Sequence, residues 1–157
     1  MPTDGATILR PARAGDGAAV FEVTRRAIGA LAKEHYSPEQ IDRWMGERTP
    51  VFYEALIAGG RMVVADRAGV VIGFVDAEPG ELTRLFVLPE VAGAGLGGRL
   101  LKVGVETARV GHRGPIRVEA TLNAESFYCR HGFRAIGVAD FSHGLGGPRI
   151  DIVLMEL

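Results

Sequence analysis

The run Leu85-Phe86-Val87-Leu88-Pro89-Glu90-Val91-Ala92-Gly93-Ala94-Gly95-Leu96-Gly97-Gly98-Arg99-Leu100-Leu101 reads as a strand, a glycine loop over Gly93–Gly98 and the start of a helix. At a helix start the first N–H groups have no partner within the helix, and the helix dipole is positive there. Glycines remove side chains and permit unusual dihedrals, so a bulky anion can touch the backbone. Such a site favours a phosphate or pyrophosphate. Three readings of the loop compete. A dinucleotide fold needs its glycines after the first strand of a βαβ unit, with an acid about twenty residues on. A nucleoside-triphosphate loop ends in Gly-Lys-Ser/Thr, and Gly98-Arg99-Leu100 does not. The third reading is a tight turn with close packing and no ligand.

The elements that position this loop follow from patterning. Thr7–Arg10 reads as a first strand, stopped by Pro11. Asp16 can cap a helix with apolar residues at Val20, Val23, Ala27 and Leu31. Ser37-Pro38-Glu39-Gln40 has the composition of a capping box with proline at the first helical position, opening a helix with Ile41, Trp44 and Met45 on its apolar stripe. Val51–Ala58 reads as a third short helix. Arg61–Ala65 and Val70–Asp76 form a hairpin around the turn Asp66-Arg67-Ala68-Gly69, and Leu82–Leu88 is a third consecutive strand. A helix follows the glycine loop, then a strand over Ile116–Leu122. Asn123 can cap a short helix carrying Phe127, Tyr128 and His131. Strands over Phe133–Val138 and Ile150–Met155 close the chain. The order, written without the short third helix, is β-α-α-β-β-β-α-β-α-β-β. It implies an α/β (α+β) architecture on a mixed sheet rather than a uniform doubly wound one.

Composition narrows the function. A chain of 157 residues with 47% apolar side chains can bury one core, so a single domain over residues 1–157 is expected. Eighteen basic and nineteen acidic residues give a net charge of −1, with no basic run to wrap nucleic acid or dock on an anionic membrane. Cys129 is the only cysteine, so no intrachain disulfide forms. The opening Met1-Pro2-Thr3-Asp4-Gly5 lacks the pattern of a signal peptide, and no apolar run is long enough to span a bilayer. A cytoplasmic protein is expected, with no metal centre.

Two motifs carry a family resemblance. Leu85-Phe86-Val87-Leu88-Pro89 followed by Gly95-Leu96-Gly97 resembles the strand, glycine turn and helix of the GNAT superfamily of acyl-CoA-dependent N-acetyltransferases. Asn123-Ala124-Glu125-Ser126-Phe127-Tyr128-Cys129-Arg130-His131-Gly132-Phe133 resembles its second motif, and Ile8-Leu9-Arg10-Pro11-Ala12 with Asp16 its opening. The resemblance covers nearly the whole chain. It implies a mostly antiparallel sheet, acetyl-CoA as co-substrate, and direct transfer of the acetyl group to a primary amine of a small molecule or peptide. It leaves a homodimer open. The family's Arg/Gln position falls on Ala92, where contacts are mainly through the backbone, so alanine is tolerable.

The resemblance also assigns roles. Leu85, Phe86, Val87, Ala92, Gly93, Ala94, Gly95, Leu96, Gly97, Gly98 and Asn123 would bind the cofactor, with a strand N–H from Leu85–Val87 stabilising the oxyanion. Tyr128 would protonate the leaving thiolate. A phenol titrates near ~10 and a thiol near ~8.5, so full transfer is uphill by roughly 2 kcal/mol, and Tyr128 serves as hydrogen-bond donor as much as acid. Cys129 has no paired histidine motif, and His131 reads as structural. Glu81 is the leading base for the amine, although it lies roughly 13 Å along an extended strand from Leu85. Glu119 or water is the reserve. His35, Tyr36 and Tyr53, near Trp44, would shape the substrate site, with His143 in the late glycine-rich loop a further candidate. A non-catalytic acyl-CoA-binding regulatory module is the alternative.

Overall fold

The computed structural model describes residues 6–31, 33–143 and 145–157. The opening Met1–Gly5, the side chain of Leu31 in the first helical stripe and Gly144 of the late loop, all read above, lie outside the described residues. The elements are β1 (Thr7–Pro11), α1 (Gly17–Leu31), α2 (Pro38–Arg43), α3 (Pro50–Ala58), β2 (Val63–Arg67), β3 (Val70–Glu78), β4 (Glu81–Val87), α4 (Leu96–Arg109), β5 (Arg117–Thr121), α5 (Glu125–Arg130), β6 (Arg134–Asp140) and β7 (Asp151–Glu156). Three helices precede β2. The seven strands form one sheet in the order β1-β2-β3-β4-β5-β7-β6. Only the β4–β5 pair is parallel. The expected mixed, mostly antiparallel sheet is the one observed.

Local chemistry sets most boundaries. Ser37 accepts from the Gln40 N–H while the Gln40 side chain accepts from the Ser37 N–H, completing the capping box of α2. The β2–β3 turn is shorter than expected. Asp66 and Arg67 stay in the strand, and Ala68 and Gly69 turn at φ 54° and 86°. Asp16 does not cap α1 through its side chain. Its carboxylate accepts from the Arg13 N–H at 2.9 Å and from the Arg10 guanidinium at 2.9 and 3.1 Å.

Helix α4 lays Leu100, Leu101, Gly104 and Ala108 on the sheet. A Cβ at Gly104 would stand 2.6 Å from Val75 and 2.7 Å from Leu82, so this glycine lets the helix approach the strands. Residues next to Val75 face the other way, and there Arg84 lies over the Phe52 ring of α3. No helix among the described residues is long and apolar enough to cross a membrane.

The sheet opens in its middle. β4 and β5 pair only at Glu81–Arg117 and Leu82–Val118. Asp76 pairs with Arg84 while Ala77 pairs with Leu82, so Thr83 is the extra residue of a β-bulge. A bulge bends its strand and raises its twist. The bulge falls where the β4–β5 pairing stops, and the two strands splay beyond it.

Candidate active site

The splay exposes a backbone edge. The Leu88 N–H donates to Ile72 O on β3 at 2.9 Å. Strand alternation then points the Phe86 N–H toward β3, and the Leu85 and Val87 N–H groups into the gap between β4 and β5. A cavity of about 520 Å³ fills that gap. It runs from Leu85, Phe86 and Val87 to the glycine turn on one side and to Asn123 and Tyr128 on the other.

The glycine turn is built for an open backbone. Gly93 and Gly95 have φ of +86° and +89°, and nothing lies within 4 Å of a Cβ built on either. Gly97 and Gly98, read from sequence as loop, form the first turn of α4 instead. Arg99 makes an i→i−4 bond to Gly95 O at 3.3 Å, which leaves the N–H groups of Leu96, Gly97 and Gly98 free for a ligand. Gly95 offers no side-chain cap. Of the expected cofactor-binding residues, all line the cavity except Ala94, which is exposed, and Leu96, whose side chain turns into the core. Across the cavity the Asn123 Oδ1 is buried without a hydrogen-bond partner among the described residues. A native structure rarely orphans such an acceptor unless a ligand or water meets it.

Tyr128 stands on α5 between two cavities and lines both. Its ring packs edge-on against Phe127 and Phe133. Burial pushes its phenol well above the ordinary value, so it keeps its proton and is able to donate a hydrogen bond. Its hydroxyl has no hydrogen-bond partner among the described residues. Cys129, next to it, is exposed and outside both cavities. His131 packs on Phe127 with ring centroids 4.8 Å apart.

Glu81, Glu119 and His143 converge, with their ligating atoms within 4.8 Å of one another. His143 Nε2 is 2.7 Å from Glu81 Oε2, and the Ser142 N–H and hydroxyl both donate to Glu119. The Glu81 hydrogen bond raises the His143 pKa above its ordinary 6.5, against the opposing effect of burial. Glu119 lines a smaller cavity of about 40 Å³ that adjoins the first and shares Leu85, Phe86 and Tyr128 with it. Glu81 lines neither.

The aromatic segment contributes differently than expected. Tyr53 is 0% exposed and belongs to the core, with its ring against Phe21 and Phe52. The Tyr36 hydroxyl is spent on backbone, donating to Asp151 O at 2.6 Å and accepting from the Leu122 N–H at 2.8 Å. His35 is exposed, and none of the three lines either cavity. Trp44, stacked edge-on against Tyr36, lines both.

Three polar residues that the sequence reading passed over flank the smaller cavity. Asp76 accepts from Thr83 Oγ1 at 3.2 Å and from Arg84 Nη1 at 3.4 Å. Burial raises the Asp76 pKa, and Arg84 only partly offsets this. Arg48 is 6% exposed and gives Nη1 and Nη2 to Trp44 O and His143 O. The available signal was a charge inside the apolar strands at Asp76 and Arg84, because buried ionisable groups are rare without a purpose, whereas Arg48 lies in the polar run over residues 46–50.

Comparisons with known proteins agree with this fold. A family model described as an acetyltransferase (GNAT) domain matches residues 32–147. An uncharacterized N-acetyltransferase of Escherichia coli, YafP, is 28% identical over 128 residues, covering 82% of this chain and 81% of that one. A GCN5-related N-acetyltransferase structure from Rhodopseudomonas palustris superposes with a TM-score of 0.87 at 23% identity, covering 99% of this chain and 98% of that one. The PaiA N-acetyltransferase of Thermoplasma acidophilum, solved with coenzyme A, superposes at 0.74 with 22% identity, covering 96% and 98%.

Proposed function

Because the chain belongs to the GNAT acetyltransferase family, we propose that it moves an acetyl group from acetyl-CoA to a primary amine of a small molecule or peptide by direct attack, as one domain spanning residues 1–157. The observation that carries this reading is the splay of β4 from β5. It turns the Leu85 and Val87 N–H groups into a cavity that also meets the glycine turn and Tyr128.

The residues present fit the co-substrate. The side-chain-free turn at Gly93 and Gly95 leaves room for a pyrophosphate against the first N–H groups of α4. The orphaned Asn123 Oδ1 awaits a donor such as an amide of the pantetheine arm. When bound, acetyl-CoA supplies an activated carbonyl and a thiolate leaving group. The Leu85 or Val87 N–H donates to the carbonyl oxygen as negative charge develops there. The Tyr128 hydroxyl donates to the departing sulfur. The amine must lose a proton, and His143 takes it, oriented and made more basic by the Glu81 carboxylate it stands against. Glu119 holds the loop that carries His143, through Ser142. Amine-dependent release of free thiol from acetyl-CoA, with the acetylated amine identified by mass spectrometry, tests the reading.

A further inference from the structure

The charged groups on and around the smaller cavity differ in what they leave unsatisfied. Glu119 is already hydrogen-bonded by Ser142, and Glu81 by His143. Arg84 is paired with one carboxylate, that of Asp76, and has donors to spare. Its side chain is 9% exposed and lines the cavity, and its one hydrogen bond among the described residues is the 3.4 Å contact to Asp76. A guanidinium carries five N–H donors, so most of the donor capacity at this wall is unused. Arg48 stands nearby, outside the cavity lining. It is buried with no carboxylate partner among the described residues, its Nε is orphaned, and its guanidinium lies 5.7 Å from the centroid of the Phe141 ring that closes the same cavity.

We propose that the amine acceptor carries a carboxylate a few bonds from its reacting nitrogen, and that Arg84 receives that carboxylate in the smaller cavity. The inference rests on the transferase reading above. A space of about 40 Å³ suits a small terminal group. The planar fork of a guanidinium matches a carboxylate in two parallel hydrogen bonds. Position supports the assignment. Arg84 precedes Leu85, whose N–H points into the reaction cavity, so a carboxylate on Arg84 leaves a nearby amine beside the reacting carbonyl.

The test is thiol release from acetyl-CoA with matched acceptors that differ only at the carboxylate. An α-amino acid, its methyl ester, its primary amide and the decarboxylated amine form one such set, repeated over several side chains. The free acids should exceed their neutral partners in kcat/KM by about tenfold or more. Arg84→Gln should erase that preference by raising KM for the acids, with neutral acceptors little changed, and Arg84→Lys should restore part of it. The wild-type comparison needs no variant and stands if Arg84→Gln fails to fold. Equal or better turnover of esters, amides or diamines would overturn this inference and leave the transferase reading intact. No turnover with any amine, acidic or neutral, would overturn both.

Discussion

His143 Nε2 lies 2.7 Å from Glu81 Oε2, so an imidazole, not bulk water, is the carboxylate's immediate neighbour. The pair joins the first residue of β4 to the loop between β6 and β7, 62 positions later in the chain. Glu119 reaches the same loop through Ser142. Arg84 opposes protonation of His143, and Glu119 favours it.

The pair sets the expected pH dependence. His143 accepts a proton only when neutral, so turnover should rise with pH through its raised pKa. Glu81→Gln removes the main cause of the raised value and should move the acidic limb to lower pH as well as lower the plateau. His143→Gln should flatten the limb. The measurement is kcat against pH at saturating acetyl-CoA, with Glu119→Gln as the matched control. A wild-type profile in the Glu81 and His143 variants, with the limb lost in the control, would transfer the role to Glu119. The same pair contributes stability that is fully present below the ordinary imidazole value of 6.5 and is lost as pH rises through the raised one.

Tyr128→Phe should lower kcat by about a hundredfold and leave acetyl-CoA affinity nearly unchanged, because the hydroxyl acts on charge that develops at the sulfur. The ring contacts to Phe127 and Phe133 survive the change, so the melting temperature should hold. Calorimetric titration beside steady-state kinetics separates the two effects. Wild-type kcat in this variant would remove the phenol from the mechanism.

Gly95→Asn should weaken acetyl-CoA binding by about tenfold or more, equivalent to ~1.4 kcal/mol or beyond. Asparagine tolerates the left-handed backbone better than other side chains, and a Cβ at Gly95 meets nothing within 4 Å. The added side chain would enter the space proposed for the phosphates. Unchanged affinity in the folded variant would place the pyrophosphate elsewhere.

Asp16→Asn should cost about 1–2 kcal/mol at neutral pH by breaking a largely buried, two-pronged contact with Arg10. Arg10 holds the Asp16 carboxyl below its ordinary 3.8. The stabilisation is therefore present above 3.8 and disappears as pH falls through the lowered value. Denaturant unfolding of both proteins at a series of pH values should show the gap close in acid. A gap that persists there would assign the loss to packing instead.

The sequence was legible where chemistry is local. The capping box at Ser37 and Gln40, the strand, glycine turn and helix from Leu85 to Leu101, and the three-strand meander depend on neighbouring residues. What stayed hidden depends on a single insertion and on long-range pairing. Strict alternation would put Glu81 and Arg84 on opposite faces of β4. The Thr83 bulge resets the count, so that Thr83 and Arg84 both reach Asp76. Nothing in the alternation of apolar residues announces a one-residue bulge. The approach of His143 to Glu81 is set by a loop whose path no local pattern fixes. The burial of Tyr53 and Tyr36 away from both cavities stayed hidden for a related reason. Aromatic rings suit a binding site and a core equally well, and only the packed structure shows which surface they meet.

The role proposed for the splay between β4 and β5 is acetyl transfer and not merely the holding of a ligand. It is tested most directly by following thiol release from acetyl-CoA with and without an amine panel, while the binding of acetyl-CoA is measured on the same preparation. Acetyl transfer predicts thiol release that depends on the amine and matches the acetylated product mole for mole. Tight binding of acetyl-CoA with no amine-dependent thiol release across small-molecule and peptide amines would contradict it, and would make the protein an acyl-CoA-binding module instead.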